Sequence, residues 1–160
     1  GLECVLSFYA DHYFRTFVRA IDSGADADSA LGKLGYIDYS RDTGERTVSA
    51  EKVSERSIGP LWLGPLYDRE VLASMNAGEN LHTRARCSKY LETWRQELDI
   101  PFFYDNDEIA SILGVSPKRM DRLFEALGAS GKVSRTHFSP TGFKTDLPLR
   151  DLLDIYKNTA

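Results

Sequence analysis

The chain predicts an α+β fold: a small mixed β-sheet with helices on one face, of ferredoxin-like flavour, followed by a winged-helix subdomain. Three observations predict it. Short aromatic and β-branched runs alternate with short amphipathic stretches over the first 99 residues. Asp99-Ile100-Pro101 then closes the longest helical pattern. Finally, residues 104–146 read helix, turn, helix, hairpin, the order of a winged helix. The expected division is residues 1–99 and residues 100–160.

In the first part, residues 11–21 (DHYFRTFVRAI) are rich in aromatic and β-branched side chains and predict a strand. Tyr13, Phe17 and Ile21 share one parity with Arg15 and Arg19, and Phe14, Thr16 and Val18 take the other. With both faces largely apolar, this strand is expected inside a sheet. Ser23-Gly24 turns the chain into a short helix, with Asp26 at its polar start, Ala27, Ala30, Leu31 and Leu34 on its apolar face and Gly35 as its stop. Residues 36–41 and 45–50 form a hairpin about Asp42-Thr43-Gly44. Two Gly-Pro pairs bracket Leu61-Trp62-Leu63, which predicts a short buried strand between rigid turns. Gly59 and Gly64 serve either tight packing or the close approach of another backbone. Asp68 caps a helix running towards Asn76, and Gly78-Glu79-Asn80 separates it from a longer one. That helix turns Leu81, Ala85, Ser88, Leu91 and Leu98 inward, with Trp94 nearby.

In the second part, Asp105-Asn106-Asp107-Glu108 offers capping side chains, and Ile109, Ala110 and Leu113 follow as a short apolar face. Gly114-Val115-Ser116-Pro117 turns into the next helix, with Ser116 expected as N-cap and Pro117 at the first helical position. Met120, Leu123, Phe124 and Leu127 recur at i, i+3, i+4 and i+7 as one apolar stripe. The glycines at 128 and 131 stop the helix, a polar strand covers residues 132–138, and Ser139-Pro140-Thr141-Gly142 turns the chain back. A last helix is expected over residues 149–156.

Charge gives this order a direction. The chain carries 20 Lys+Arg against 24 Asp+Glu. Between residues 117 and 145, however, six basic residues (Lys118, Arg119, Arg122, Lys132, Arg135 and Lys144) face two acids, Asp121 and Glu125, with His137 beside them. A local basic face on an acidic chain implies a directed surface. Phosphate is its expected target, since each Lys or Arg can displace a condensed counterion. The competing reading is a winged helix used for protein packing, with a solvated basic rim. His82, Arg84, Arg86, Lys89 and Arg95 on the long helix are either a second phosphate surface or simply an exposed charged helix.

Other chemistry lacks its residues. No apolar run approaches the roughly 20 residues of a membrane span, and no basic-then-apolar leader opens the chain. The chain starts at Gly1 and enters directly into Leu2, Val5, Leu6 and Phe8, so it is expected to be a piece of something longer. Cys4 and Cys87 fit a reducing cytoplasm. Neither G-x-G-x-x-G, G-x-x-x-x-G-K-[ST] nor G-x-S-x-G occurs. Two cysteines and His12, His82 and His137 lie scattered, so no metal site is expected. By itself the chain is expected not to be an enzyme.

Four blocks carry a resemblance. DHYFRTFVR (residues 11–19), LGYI (34–37), GPLWLGPLYD (59–68) and SRTHFSPTGFKTD (134–146) resemble, in order and spacing, the tRNA guanine-N2 dimethyltransferases that act on the guanosine at tRNA position 26. The blocks span nearly the whole chain, and the Gly-Pro-Leu-Trp-Leu-Gly and Thr-His-Phe portions are the most specific. The resemblance implies a cytoplasmic enzyme that moves methyl groups from S-adenosylmethionine to the exocyclic amine of a guanine in tRNA. It also implies that this chain is the carboxy-terminal half, which grips tRNA and braces an amino-terminal catalytic domain of the same protein. The cofactor and catalytic residues would then lie upstream of Gly1. Some relatives carry Cys pairs near the hairpin after the LGYI block; Ser40 and Thr43 stand there in this chain.

For a tRNA partner, shape and phosphate recognition is expected rather than base readout, because the deep, narrow groove of A-form RNA does not admit a helix. Lys118, Arg119, Arg122, Lys132, Arg135 and Lys144 are expected to carry it, while His137 either contacts RNA or packs under the wing. Two other readings stay open at this point. One is a winged-helix DNA-binding regulator that dimerises through the long helix at residues 81–98. The other is an interdomain scaffold without nucleic-acid contact, docking through Tyr13, Phe17 and the Trp62 strand.

Overall fold

A computed structural model describes residues 1–159 as eight strands and six helices, and its sheets pair only antiparallel strands. β1 (Leu2–Ala10) and β2 (Tyr13–Ala20) form a ribbon closed at Asp11-His12, with Leu2 opposite Ala20 and Ala10 opposite Tyr13. α1 (Gly24–Leu31) follows, and the Ser23 side chain caps it by accepting from the Asp26 N–H. β3 (Leu34–Tyr39) then pairs with β4 (Arg46–Ser49) on one side and β5 (Ile58–Trp62) on the other. The single mixed sheet expected from the sequence is therefore corrected to separate antiparallel sheets. Short connections are the reason, because a parallel pair needs a crossover of a dozen or more residues.

β2 overturns a second expectation. It is not enclosed in a sheet but forms the outer strand of the ribbon, with Phe14 77% and Phe17 50% exposed. Apolar residues on both parities mark an uncovered surface here. β5, expected to be buried, is likewise exposed to half-buried along its length. The strand that does reach the core is β1, through Leu6. Its other side is covered when the chain returns after β5: the Ser7 N–H donates to the Leu66 carbonyl and the Asp68 N–H to the Val5 carbonyl, both at 2.8 Å.

That return sets Tyr67 in the core and leaves Asp68 at the start of α2 (Arg69–Ser74). Its carboxylate accepts from the Glu70 and Val71 N–H groups, as its sequence position predicts. α3 (Arg84–Gln96) buries Leu91 and Trp94, whereas Leu81, Ala85 and Ser88 are exposed. The helix begins only at Arg84, so Leu81 lies outside it. Leu6, Tyr67, Leu72, Leu91 and Trp94 make one core.

A second core gathers Ile109, Ala110, Leu123, Leu127, Phe143, Leu152 and Tyr156. It lies among β6 (Tyr104–Asp105), α4 (Asn106–Leu113), α5 (Met120–Gly128), β7 (Val133–Arg135), β8 (Gly142–Thr145) and α6 (Leu149–Asn158), with the strands in the order β6-β8-β7. The stripe Met120, Leu123, Phe124 and Leu127 faces this core as its spacing requires. Asp105 caps α4 through the Asp107 N–H and also accepts from the Ser139 and Thr141 hydroxyls at 2.6 and 3.0 Å. Gly114, the residue after α4, takes the left-handed φ of 65° that ends a helix.

Ser116 is not the cap of α5; Arg119 holds that position, in extended geometry. Buried Asn106 explains the delay. Its side chain accepts from the Lys118 N–H at 3.3 Å, donates to the Lys118 carbonyl at 2.8 Å, and is itself held by the Tyr156 hydroxyl. Residue 118 is thereby locked to α4 and cannot enter the helix. Among the described residues, no helix is long and apolar enough to cross a membrane.

These caps separate two substitutions. Asp105→Ala should lower unfolding stability in urea by about 1–2 kcal/mol, whereas Ser116→Ala should stay within about 0.5 kcal/mol of the parent. Equal losses at the two positions would contradict this start for α5.

Candidate nucleic-acid interface

The seven sequence-predicted contact residues fall into two groups. Lys144 and His137 point inward, with side chains 4% and 0% exposed. Both converge on Glu97, the residue that ends α3. One Glu97 oxygen lies 3.0 Å from the Lys144 ammonium and accepts from the Thr136 hydroxyl at 2.8 Å. The other lies 2.7 Å from His137 Nδ1 and accepts from the Tyr67 hydroxyl at 3.2 Å and the His137 N–H at 3.3 Å. The expectation for Lys144 fails because β8 turns it towards this buried carboxylate. For His137 the packing alternative describes the side chain.

Burial alone would push the Glu97 carboxyl up. The hydrogen bond from His137, the Lys144 charge and the Thr136 hydroxyl outweigh it and hold the group at about 2, against an ordinary 4.5. Burial, followed by the neighbouring Glu97 charge, pushes the Tyr67 phenol up. An acid at i+3 from Trp94 and i+6 from Leu91, on the inward stripe of α3, was the sequence signal for this cluster. Nothing in the sequence named its partners, which come from residues 67 and 136–144.

The other cations stay outside. Lys118 is half-buried, and its ammonium donates to the Thr159 carbonyl, capping the end of α6. Arg119 is exposed and paired with Asp121 at 2.7 Å, and Arg122 is exposed and paired with Glu125 at 3.1 Å. The hydrogen bond from Arg119 holds the Asp121 carboxyl below its usual range. Arg135 lies over the Phe124 ring at 5.1 Å and donates to the Pro140 carbonyl at 3.1 Å. Lys132 is exposed, and its ammonium has no partner among the described residues. Arg119, Arg122, Lys132 and Arg135 are thus exposed, on or next to α5 and β7. The structure separates Lys144, His137 and Lys118 from them. On α3, Arg84, Arg86, Lys89 and Arg95 are all exposed.

Two arginines outside this set form further ties: Arg46 crosses between the halves of the chain, and Arg69 holds the end of the first half. Arg46 of β4 pairs with Glu108 of α4 at 2.9 Å and lies over the Tyr104 ring. Arg69 of α2 pairs with Asp99 at 2.8 Å and donates to the Glu97 carbonyl at 2.7 Å.

A model of the family described as N2,N2-dimethylguanosine tRNA methyltransferase matches residues 1–157. The tRNA (guanine(26)-N(2))-dimethyltransferase of Pyrococcus furiosus is 36% identical, over 98% of this chain and 43% of the relative. That of Methanosarcina acetivorans is 36% identical, over 97% of this chain and 44% of the relative. A solved structure, the complex of Trm1 from Pyrococcus horikoshii with S-adenosyl-L-methionine, matches with a TM-score of 0.87 at 34% identity, covering 97% of this chain and 43% of that one. The chain therefore belongs to the N2,N2-dimethylguanosine tRNA methyltransferase family. It spans less than half the length of these relatives.

A cradle for S-adenosylmethionine usually needs a glycine-rich turn between a strand and a helix N-terminus. The residues described here do not fit that group: no such turn exists among them, and their sheets carry only antiparallel pairs. No step of a transfer reaction is assigned to them.

The Glu97 cluster sets a pH dependence. Between about pH 4.5 and 2, the unfolded chain binds a proton at position 97 that the folded chain does not. Stability should therefore be full above this window and fall by about 3 kcal/mol as pH drops through it. Glu97→Gln should flatten that acid limb in urea unfolding. At pH 7 it should cost about 3–5 kcal/mol, because Lys144 is left buried without its counter-charge. An unchanged acid limb in the variant would contradict the assignment.

Proposed function

We propose that this chain is the carboxy-terminal, tRNA-gripping part of a cytoplasmic, S-adenosylmethionine-dependent tRNA (guanine(26)-N2)-dimethyltransferase. S-adenosylmethionine would supply the methyl group from a catalytic domain outside these residues. The observation that carries the reading is a set of four exposed cations on or next to α5 and β7, in a family named for tRNA methylation. Arg119, Arg122, Lys132 and Arg135 form it. The carboxylates beside Arg119 and Arg122 do not disqualify them. Exposed pairs are worth about 0–1 kcal/mol, so a phosphate can replace either partner.

The order β6, α4, α5, β7, β8, with the central strand contributed last, supports a winged helix with α5 as its second helix. The separate core clusters support a division at residues 99 and 100. In this reading the wing is anchored: Glu97 and Asp105 hold residues 136–141, so the loop presents a fixed surface.

The exposed apolar strand favours a bracing role beside the RNA grip. Phe14 and Val18 are uncovered on one face of β2. A cavity of about 550 Å³ opens beside them, lined by Leu2, Cys4, Val18, Leu31 and Trp62. Apolar surface of this kind marks an interface, and the catalytic domain of the same protein is the occupant this reading assigns to it.

Binding across a salt series tests the RNA grip. The chain should bind tRNA with log affinity falling linearly against log salt. Arg122→Ala combined with Arg135→Ala should weaken binding and reduce the slope by about 1–2. Duplex DNA should bind more weakly throughout. A double variant with unchanged affinity and slope would place the RNA elsewhere.

A further inference from the structure

We propose that α3 and the ribbon hold one nucleotide extruded from the RNA stack, its base in the aromatic cavity beside Trp94 and its phosphate in the polar cleft beyond Arg86. This rests on the tRNA-binding reading and names a contact within it.

Two cavities meet at one pair of residues. The first, about 440 Å³, lies between the β1–β2 ribbon and α3, with Phe8, Tyr13, Tyr90 and Trp94 among its walls and Asn76 and Arg86 at polar positions. The second, about 310 Å³, lies between α3 and the β7–β8 connection and includes Arg86, Lys89, Tyr90, His137 and Ser139. Arg86 and Tyr90 line both, with the guanidinium 5.6 Å from the ring centroid. Each volume lies within the range of small-ligand sites.

The chemistry of the two halves differs as that of a nucleotide does. Aromatic faces stack on any base, and splayed RNA bases are held in this way. Phe8 lies 4.7 Å from Trp94 and Tyr90 lies 5.6 Å from it, so the indole sits in an aromatic wall already assembled. Arg86 and Lys89, one turn apart on α3, supply the positive charge on the other side. Asp11 and the Tyr90 hydroxyl occupy only one Arg86 nitrogen, Nη2. Its Nε and Nη1, and the Lys89 ammonium, have no partner among the described residues, which leaves two cations for one phosphate. Among the described residues, Asp11 is the one acid that pairs with either of them.

A second, independent observation points to a ligand. Among the described residues, two buried side-chain polar atoms lack a hydrogen-bond partner: Trp94 Nε1 and His137 Nε2. Trp94 is 6% exposed and the His137 side chain 0%. One residue lines each cavity. Buried polar groups are rarely left unpaired, and a base carbonyl is an acceptor for the indole N–H. Trp62, by contrast, already donates its indole N–H to the Pro65 carbonyl at 3.0 Å and serves as an internal control.

The test uses the 160-residue chain, nitrogen-15 labelled, titrated separately with ribonucleoside 5′-monophosphates, the matching nucleosides, inorganic phosphate and tRNA. The Trp94 indole N–H is assigned by its loss in Trp94→Phe, which keeps an aromatic ring in place. The expected result is a monophosphate that binds at least tenfold tighter than its nucleoside or inorganic phosphate. It should move the Trp94 indole signal and leave that of Trp62 in place. Arg86→Gln, at an exposed position, should weaken the monophosphate about tenfold and leave the nucleoside unchanged. A monophosphate no tighter than inorganic phosphate, or a Trp94 signal that stays put, would overturn the proposal. tRNA that binds with the expected salt slope but leaves Trp94 unmoved removes this nucleotide site and keeps the tRNA grip. A monophosphate that moves Trp94 while tRNA is not held keeps the site and removes the grip.

Discussion

A single buried carboxylate ties this chain together. Glu97 closes α3, and its two oxygens collect Thr136, His137, Lys144 and Tyr67 from three other parts of the sequence. A charge this deep is tolerated only when it is neutralised and its lone pairs are used. Lys144 provides the charge and the three neighbours use the lone pairs. The β7–β8 connection is therefore fastened to the end of α3, and the core around Trp94 is joined to the module that follows it. Arg46 repeats the joint through Glu108, while Arg69 holds Asp99 and the Glu97 carbonyl at the end of the first part.

That constraint reshapes the electrostatic picture. Six cations counted along the sequence suggest one basic face, but Lys144 is consumed inside and Lys118 caps the end of α6. The exposed cations that remain are Arg119, Arg122, Lys132 and Arg135 on or beside α5 and β7, with Arg86 and Lys89 on α3. Arg135 donates to the carbonyl of Pro140, and Pro140 lines the polar cleft beside α3. The two cation groups thus adjoin through the loop that Glu97 holds still.

Local rules were legible in the sequence where the cause is local. Asp68 and Asp105 cap the helices expected of them, the hairpin about Asp42-Thr43-Gly44 forms, and the stripe Met120, Leu123, Phe124 and Leu127 faces its core. Readings that needed a partner elsewhere in the fold went astray. β2 has the residues of an interior strand, yet nothing among the described residues covers it. β1, with no clear alternation, reaches the core because residues 66–68 return along it. Ser116 and Pro117 look like a helix start, but Asn106 and Tyr156 hold Lys118 out of the helix. Lys144 reads as surface charge, and His137 stays open between RNA and packing, because no sequence pattern places Glu97 beneath them. The family blocks marked this stretch as special without revealing that Thr136 and His137 serve the interior.

Native-state hydrogen exchange on the parent chain and on Glu97→Gln most directly tests whether this carboxylate couples the two parts. Protection in the parent should be similar for the amides of residues 91–97 and 134–143, and in the variant both stretches should lose it together. If the variant lost protection only around position 97, with the β7–β8 amides as slow as before, Glu97 would be a local detail and the two halves would be joined by something else.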